Sequence, residues 1–256
     1  MAGETTKCEA ICLRIVPWSR TSHIVTWLTP TGKVTTVVKG AVRSKSAFLG
    51  QYDLNYRCEI VYYLRATREL HALRDCAPVD GREALRGDYR KLLLAEHFRR
   101  LVFGQAPSGP DAGDWFDLLD GSLARLGQPC RRDSPRRVSG TDETPQHARG
   151  TIASTNLLAE MLAFELAVLR LAGLSPELEA ESGAFALRGE RKIPVTPQVA
   201  RCLKSPLLIK YQDSLADALR VIGVFYAFHL EGAPDTRRTV LQMISTTEEG
   251  RGIRNG

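Results

Sequence analysis

No Cys-x-x-Cys pair occurs among the six cysteines of this 256-residue chain (Cys8, Cys12, Cys58, Cys76, Cys130, Cys202), and no histidine cluster accompanies them. That scatter lacks the sequence form of a zinc site and fits reduced, mostly buried thiols of a cytosolic protein. Cys8 and Cys12 fall on one face of a strand but about 13 Å apart at roughly 3.3 Å per residue, too far to share a metal or a disulfide there. A phosphate loop is missing: Gly32-Lys33 is followed by Val34, and Trp27 stands where the first glycine would be. HExxH and GxSxG are missing too. Glu160 and Glu165 share an apolar segment, but their spacing puts them on different faces of a helix and no ExxH accompanies them. They are expected to cap or pair inside a bundle. The opening MAGETTKCEA has no apolar core, so no secretory signal is expected. The most apolar run, LLAEMLAFELAVLRLAGL, is broken by Glu160, Glu165 and Arg170, which argues against a membrane span. The expectation is therefore no enzyme, no cofactor and no metal.

Acid is the other thing in short supply, and only in one place. From Ile11 to Tyr52 there are six Lys or Arg residues (Arg14, Arg20, Lys33, Lys39, Arg43, Lys45) and no Asp or Glu, within a chain of formal charge +6. A merely solvated face interleaves both signs. A one-sign face invites an anionic partner, and lysines and arginines that neutralise phosphates supply affinity independent of sequence. Aromatic residues can add stacking with unpaired bases, and Trp18, Trp27, Phe48 and Tyr52 interleave with these cations. Trp27 lies within an alternating strand and reads first as barrel core, whereas Trp18 follows Pro17 at a turn. His23, also in a strand, reads as a hydrogen-bonded sheet residue.

What is present divides the chain in two. Over residues 8–77, EAICLRIV, HIVTWLT, KVTTVVK, YRCEIVYYL and ELHALRDCA read as five short strands with turn punctuation between them. They suit a small closed barrel of the OB type, with an SH3-like barrel as the other arrangement. The pattern shifts at Pro78-Val79-Asp80-Gly81. Beyond it Leu94, Phe98 and Leu101 follow helical spacing. A second helix is expected from Asp114 to just before Gly127. The most hydrophobic helix, about Ser154 to Leu171, is apolar nearly all round and so should be central, with Gly173 stopping it. Thr196-Pro197 marks another helix start, and Ser214 with Asp217 resembles a capping box. A short helix is expected around Arg237 to Ile244. The fold class is therefore α+β: an OB-fold barrel over 1–80, then an all-helical domain over 81–256. Residues 127–150 are a polar insertion that buries too little surface to order itself.

Three stretches, and with them a shorter fourth, resemble the RecO family of bacterial recombination mediators. AICLRIVPWSRTSHIVTWLTPTGKV is similar to the family's first two strands, including the Pro17-Trp18-Ser19 turn. VVKGAVRSKSAFLG carries its most distinctive pattern in Lys39, Gly40, Ala41, Arg43, Ser44, Lys45 and Ser46. AFELAVLRLAGLSPEL resembles the central helix of the C-terminal domain, and TRRTVLQMI the closing helix. The resemblance implies an OB barrel plus a helical domain, and binding of single- and double-stranded DNA with annealing of complementary strands. It also implies partnership with RecR and with the acidic tail of single-strand-binding protein, indirect delivery of RecA, and a cytoplasmic, nucleoid-associated location. Many relatives hold zinc with four cysteines after the central helix; residues 174–201 contain none, so no zinc is expected. Leu162 and Ala163 stand where relatives often carry a basic residue before the Phe-Glu-Leu, and Arg20 replaces an acid common after the first turn.

Lys33, Lys39, Arg43 and Lys45 are assigned to phosphate contacts on this reading, with Arg14 and Arg20 extending the track and Trp18 as a stacking platform. Arg99, Arg100, Arg125 and Phe164 are the candidate edge of a partner-binding groove. The rival from another class is an adaptor whose barrel docks a protein. A nuclease would need carboxylates beside the basic face, and the window has none.

Overall fold

The computed structural model describes residues 4–64, 69–128, 152–175, 177–179, 184–186, 192–208, 212–230 and 236–252. Five strands come first: β1 (Thr5–Pro17), β2 (His23–Thr29), β3 (Gly32–Val38), β4 (Arg57–Tyr63) and β5 (Leu70–Asp80). They close into a barrel in the order β1-β2-β3-β5-β4, with β4 returning to β1. Every pairing is antiparallel except β3 with β5, which run parallel from Thr35↔Leu70 to Val37↔Ala72. This is the five-stranded OB arrangement. Closure leaves no sheet edge open, so period-2 alternation sends one set of side chains inward. Ala10, Cys12, Val25, Trp27, Val38, Cys58, Ile60 and Cys76 fill that interior. The Trp27 indole is fully buried and its Nε1 donates to Thr36 Oγ1 at 2.9 Å, which satisfies the one polar atom that would otherwise make an interior tryptophan costly. His23 Nδ1 lies 2.9 Å from Tyr52 Oη, the satisfied sheet histidine expected from its position.

The Cys8, Cys12 and Cys76 thiols are held toward their protonated form. Cys8, half-buried, has its pKa raised to about 11 by desolvation. Cys76 is raised by a hydrogen bond with Cys58 and then by burial, and Cys12 mainly by burial. Thiols held this way are poor nucleophiles.

After the barrel come α1 (Glu83–Arg86), α2 (Tyr89–Gln105), α3 (Gly113–Gly127), α4 (Ile152–Leu171), α5 (Pro197–Lys204), α6 (Gln212–His229) and α7 (Thr236–Gly252). A small antiparallel sheet of β6 (Glu177–Glu179), β7 (Ala184–Ala186) and β8 (Lys192–Pro194) sits between α4 and α5 in sequence, so the helical half also carries strands. The barrel strands end at Asp80, yet the first compact unit continues as Met1–Gly87 with Ala95–Arg125; the second is Asp88–Leu94 with Leu126–Gly256. Most of the expected insertion 127–150, from 129 on, lies outside the described residues.

Within the first unit, α3 is tied to the barrel by charge. Asp120 accepts from Arg57 Nη1 at 2.9 Å and from Arg82 Nη2; Arg57 also pairs with Glu9 on β1 and Arg82 with Asp80. Within the second, α4 packs against α6 and α7. Leu158, Met161, Leu162, Phe164, Val168 and Leu169 of α4 are buried there, in keeping with a helix apolar nearly all round. Glu165 is fully buried and holds Arg237 of α7 in a two-point ion pair of 2.9 and 3.0 Å, the internal pairing expected for this acid. Thr196 Oγ1 accepts from Val199 N at 3.3 Å, so the α5 cap is as read. Ser214 is not a cap: α6 already starts at Gln212.

Candidate nucleic-acid interface

The β1–β2 turn and the long β3–β4 loop build one surface of the barrel. Trp18 N and Ser19 N both donate to Ser22 O, at 2.8 and 3.3 Å, which closes the turn. Gly40 N donates to Ser22 Oγ at 3.3 Å and Val42 N to Thr21 O at 3.3 Å, so turn and loop are stitched together. Gly40 has φ +68°, the left-handed region where a Cβ is strained. A Cβ there would also press on the Arg43 side chain at 3.3 Å. The loop then advances in short turns, with Arg43 N to Gly40 O at 3.1 Å and Ser46 N to Arg43 O at 2.9 Å.

Between these walls lies an open cavity of about 490 Å³ lined by Trp18, Ser19, Thr21, Ser22, Val37, Lys39, Gly40 and Arg43. Three hydroxyl side chains and two cations face an indole across it. Arg20 and Lys45 are exposed on the same turn and loop. Among the described residues of this unit, the ion pairs use Lys7, Arg57, Arg82, Arg86, Arg99 and Arg100, none of them from this window. The cations at the cavity thus keep their charge available.

Two cations of the window point elsewhere. Lys33 is half-buried; its Nζ donates to Phe103 O at 3.2 Å and lies over the Phe103 ring. Burial lowers its pKa, and an ammonium on a carbonyl near the end of α2 is where the helix dipole favours it. Lys33 and Lys39 sit at opposite ends of β3, about 20 Å apart at roughly 3.3 Å per residue. Arg14 is exposed and also stacks over Phe103, at 5.5 Å. Phe48 and Tyr52, read as stacking aromatics, pack instead against the barrel core, Tyr52 edge-on to Trp27 at 5.8 Å. Trp18 alone of the four stays out, at 64% exposure.

Residues 1–82 match the family described as Recombination protein O N terminal. The DNA repair protein RecO of Rhodopirellula baltica is 31% identical over 231 residues, which cover 84% of this chain and 73% of that protein. The chain belongs to the RecO family. Proteins of the same name are similar from Anaeromyxobacter dehalogenans, 28% identical over 72% of this chain and 63% of that protein, and from Geobacter metallireducens, 33% identical over 52% and 54%. The match therefore spans less than two thirds of the length of these last two RecO proteins.

Two of the four candidate partner residues are buried. Arg99, at 6% exposure, is not a groove edge: its guanidinium donates to Leu13 O and pairs with Glu96. The physical reason is a β-bulge. The β1–β2 register shifts between Cys12 and Arg14, which leaves Leu13 outside the ladder, and a bulged carbonyl in a buried place needs a donor. Phe164, at 1% exposure, is core of the second unit and offers no face to a partner. Arg100 is exposed and pairs with Glu96, while Arg125 donates to Ser122 Oγ at 2.9 Å. Both belong to the first unit, whereas Phe164 belongs to the second. The stretch 174–201, from which no zinc was expected, lies partly outside the described residues. Among the described residues no helix is long and apolar enough to cross a membrane.

Proposed function

We propose that this RecO-family chain is a non-catalytic DNA-binding mediator of recombinational DNA repair that anneals complementary strands in the bacterial cytoplasm. The observation that carries the reading is the stitched cavity of the barrel, where Lys39 and Arg43 face Trp18 and three hydroxyls with no acid in the surrounding window. Phosphates are the natural counter-charge for such a surface. Two strands held on it repel each other less, so complementary stretches meet and pair faster. Arg20 and Lys45 extend the track from the same turn and loop, whereas Arg14 sits over Phe103 and outside the cavity lining. Single- and double-stranded DNA are the proposed ligands. RecR, the acidic tail of single-strand-binding protein and, indirectly, RecA are the proposed partners, on the strength of the family resemblance. Arg100 and Arg125 remain candidates for a partner contact, since both are exposed.

The test is salt-dependent binding together with strand annealing. Changing Lys39 and Arg43 to Ala is expected to reduce the log–log salt slope for single strands by about 1.4, at roughly 0.7 per lost phosphate contact, and to slow annealing. Lys33→Ala is expected to leave the slope where it was, because its ammonium is already engaged with Phe103 O. Unchanged DNA affinity in the double variant, with binding of a protein partner lost, would turn the reading toward an adaptor.

A further inference from the structure

We propose that Trp18 makes the barrel cavity a one-base stacking subsite that selects single strands over duplex. This rests on the polyanion reading above and adds a ligand preference to it.

The three tryptophans differ sharply in setting. Trp27 is 0% exposed and Trp115 4%, whereas Trp18 is 64% exposed. An indole left in water forgoes a large apolar burial, yet this one is held in place by the two turn hydrogen bonds to Ser22 O. It forms one wall of the cavity, with Val37, Gly40 and the cations Lys39 and Arg43 among the remaining lining. The cavity volume is in the range of sites for one small ligand. Such an arrangement matches one nucleotide unit: a flat base against the indole, and its phosphates near the ammonium and guanidinium. Phe48 and Tyr52 are packed against the core, so the surface offers a platform for a single base rather than a run of them.

Duplex DNA has no base face to give without unstacking a pair, which is costly. It reaches the cations only. A single strand reaches both the cations and the indole. The preference for single strands therefore comes from stacking, while the salt dependence comes from charge.

The experiment uses the full chain and three polymers of equal length: oligothymidylate, an abasic deoxyribose-phosphate oligomer and a duplex. Wild type is expected to bind oligothymidylate about tenfold more tightly than the abasic oligomer. Its exposed-tryptophan emission should be quenched by the first and not by the second. Trp18→Ala should bring oligothymidylate affinity down to the abasic level, with abasic and duplex affinities and the salt slope unchanged. Trp18→Phe should recover most of the loss. An equal loss on all three polymers, or no loss on any, overturns the stacking subsite while leaving the polyanion reading standing. Absence of salt-dependent binding to any of the three by wild type overturns both.

Discussion

Glu165→Ala is expected to destabilise the helical unit by about 3–5 kcal/mol, the usual cost of removing one partner from a buried ion pair. The carboxylate is fully buried on α4 and takes Arg237 Nε and Nη2 in parallel hydrogen bonds of 2.9 and 3.0 Å. The same guanidinium donates to Leu219 O and lies 6.0 Å from the Tyr226 ring centre. Its seat exists because residue 223 is glycine: a Cβ there would run into the guanidinium. Tyr226 closes the arrangement by donating to Glu165 O at 2.9 Å. Its phenol is held protonated well above the usual range, first by burial and then by the Glu165 charge. Alanine at 165 leaves a cation in an apolar setting without its carboxylate, so α7 should loosen from α4 and α6. Thermal unfolding followed by circular dichroism should show a midpoint lower by about 6–20 °C, at roughly 2–4 °C per kcal/mol for chains of this size. A companion Glu165→Leu, Arg237→Met variant is expected to regain much of the loss, since apolar replacement of a buried pair is often neutral or better. A fall of less than about 1 kcal/mol in the alanine variant would mean that the pair does not hold α7 in place.

The barrel was legible because its information is local. HIVTWLT spans the observed β2 residue for residue, since β-branched alternation bounded by turn residues is a period-2 signal that needs no partner to be read. The β3–β5 pairing is not local: it joins Thr35 to Leu70, and only the closing of the sheet creates it. The strands β6 to β8 are three residues each, too short to carry a period. Ser214 and Asp217 have the spacing of a cap, but that spacing recurs inside helices, and α6 begins two residues earlier.

At the site, the missing acids were visible and the direction of each cation was not. Lys33 and Arg99 look alike in sequence to Lys39 and Arg100. What separates them is long-range: the Phe103 carbonyl for Lys33, and the bulged Leu13 carbonyl for Arg99. The one signal that could have flagged Arg99 is its place one residue after the buried Phe98 on a helix whose next turn begins with Leu101 and Val102, also buried. A cation inside such a stripe is more often a buried donor than a free charge. Phe164 fits the same rule, because the all-round apolar character of its helix already placed it in the core.

The second large effect is expected at Asp120, where the helical part of the first unit meets the barrel. Asp120→Ala should cost about 1.5–3 kcal/mol, in the range for hydrogen bonds to charged groups. The figure is below that for Glu165 for a structural reason. Arg57 keeps Glu9 at 2.9 Å and Arg82 keeps Asp80 at 2.7 Å after the substitution, and Asp120 retains some exposure, so water can reach the gap. Arg82 is nonetheless nearly buried and sits in a left-handed conformation at φ 53°. Asp120 is one of only two carboxylates holding its guanidinium among the ion pairs described. Asp120→Asn keeps the shape and one acceptor oxygen but loses the charge, so it should fall between wild type and alanine. Denaturant unfolding of the three proteins should rank in that order. The charge contribution should shrink as salt is raised, more for Arg57, the more exposed partner, than for Arg82. DNA affinity should stay unchanged in both variants under native conditions, because Asp120 lies outside the Trp18 cavity lining. Equal stability of the alanine variant and wild type would show that the ion pairs of Asp120 do not hold α3 to the barrel.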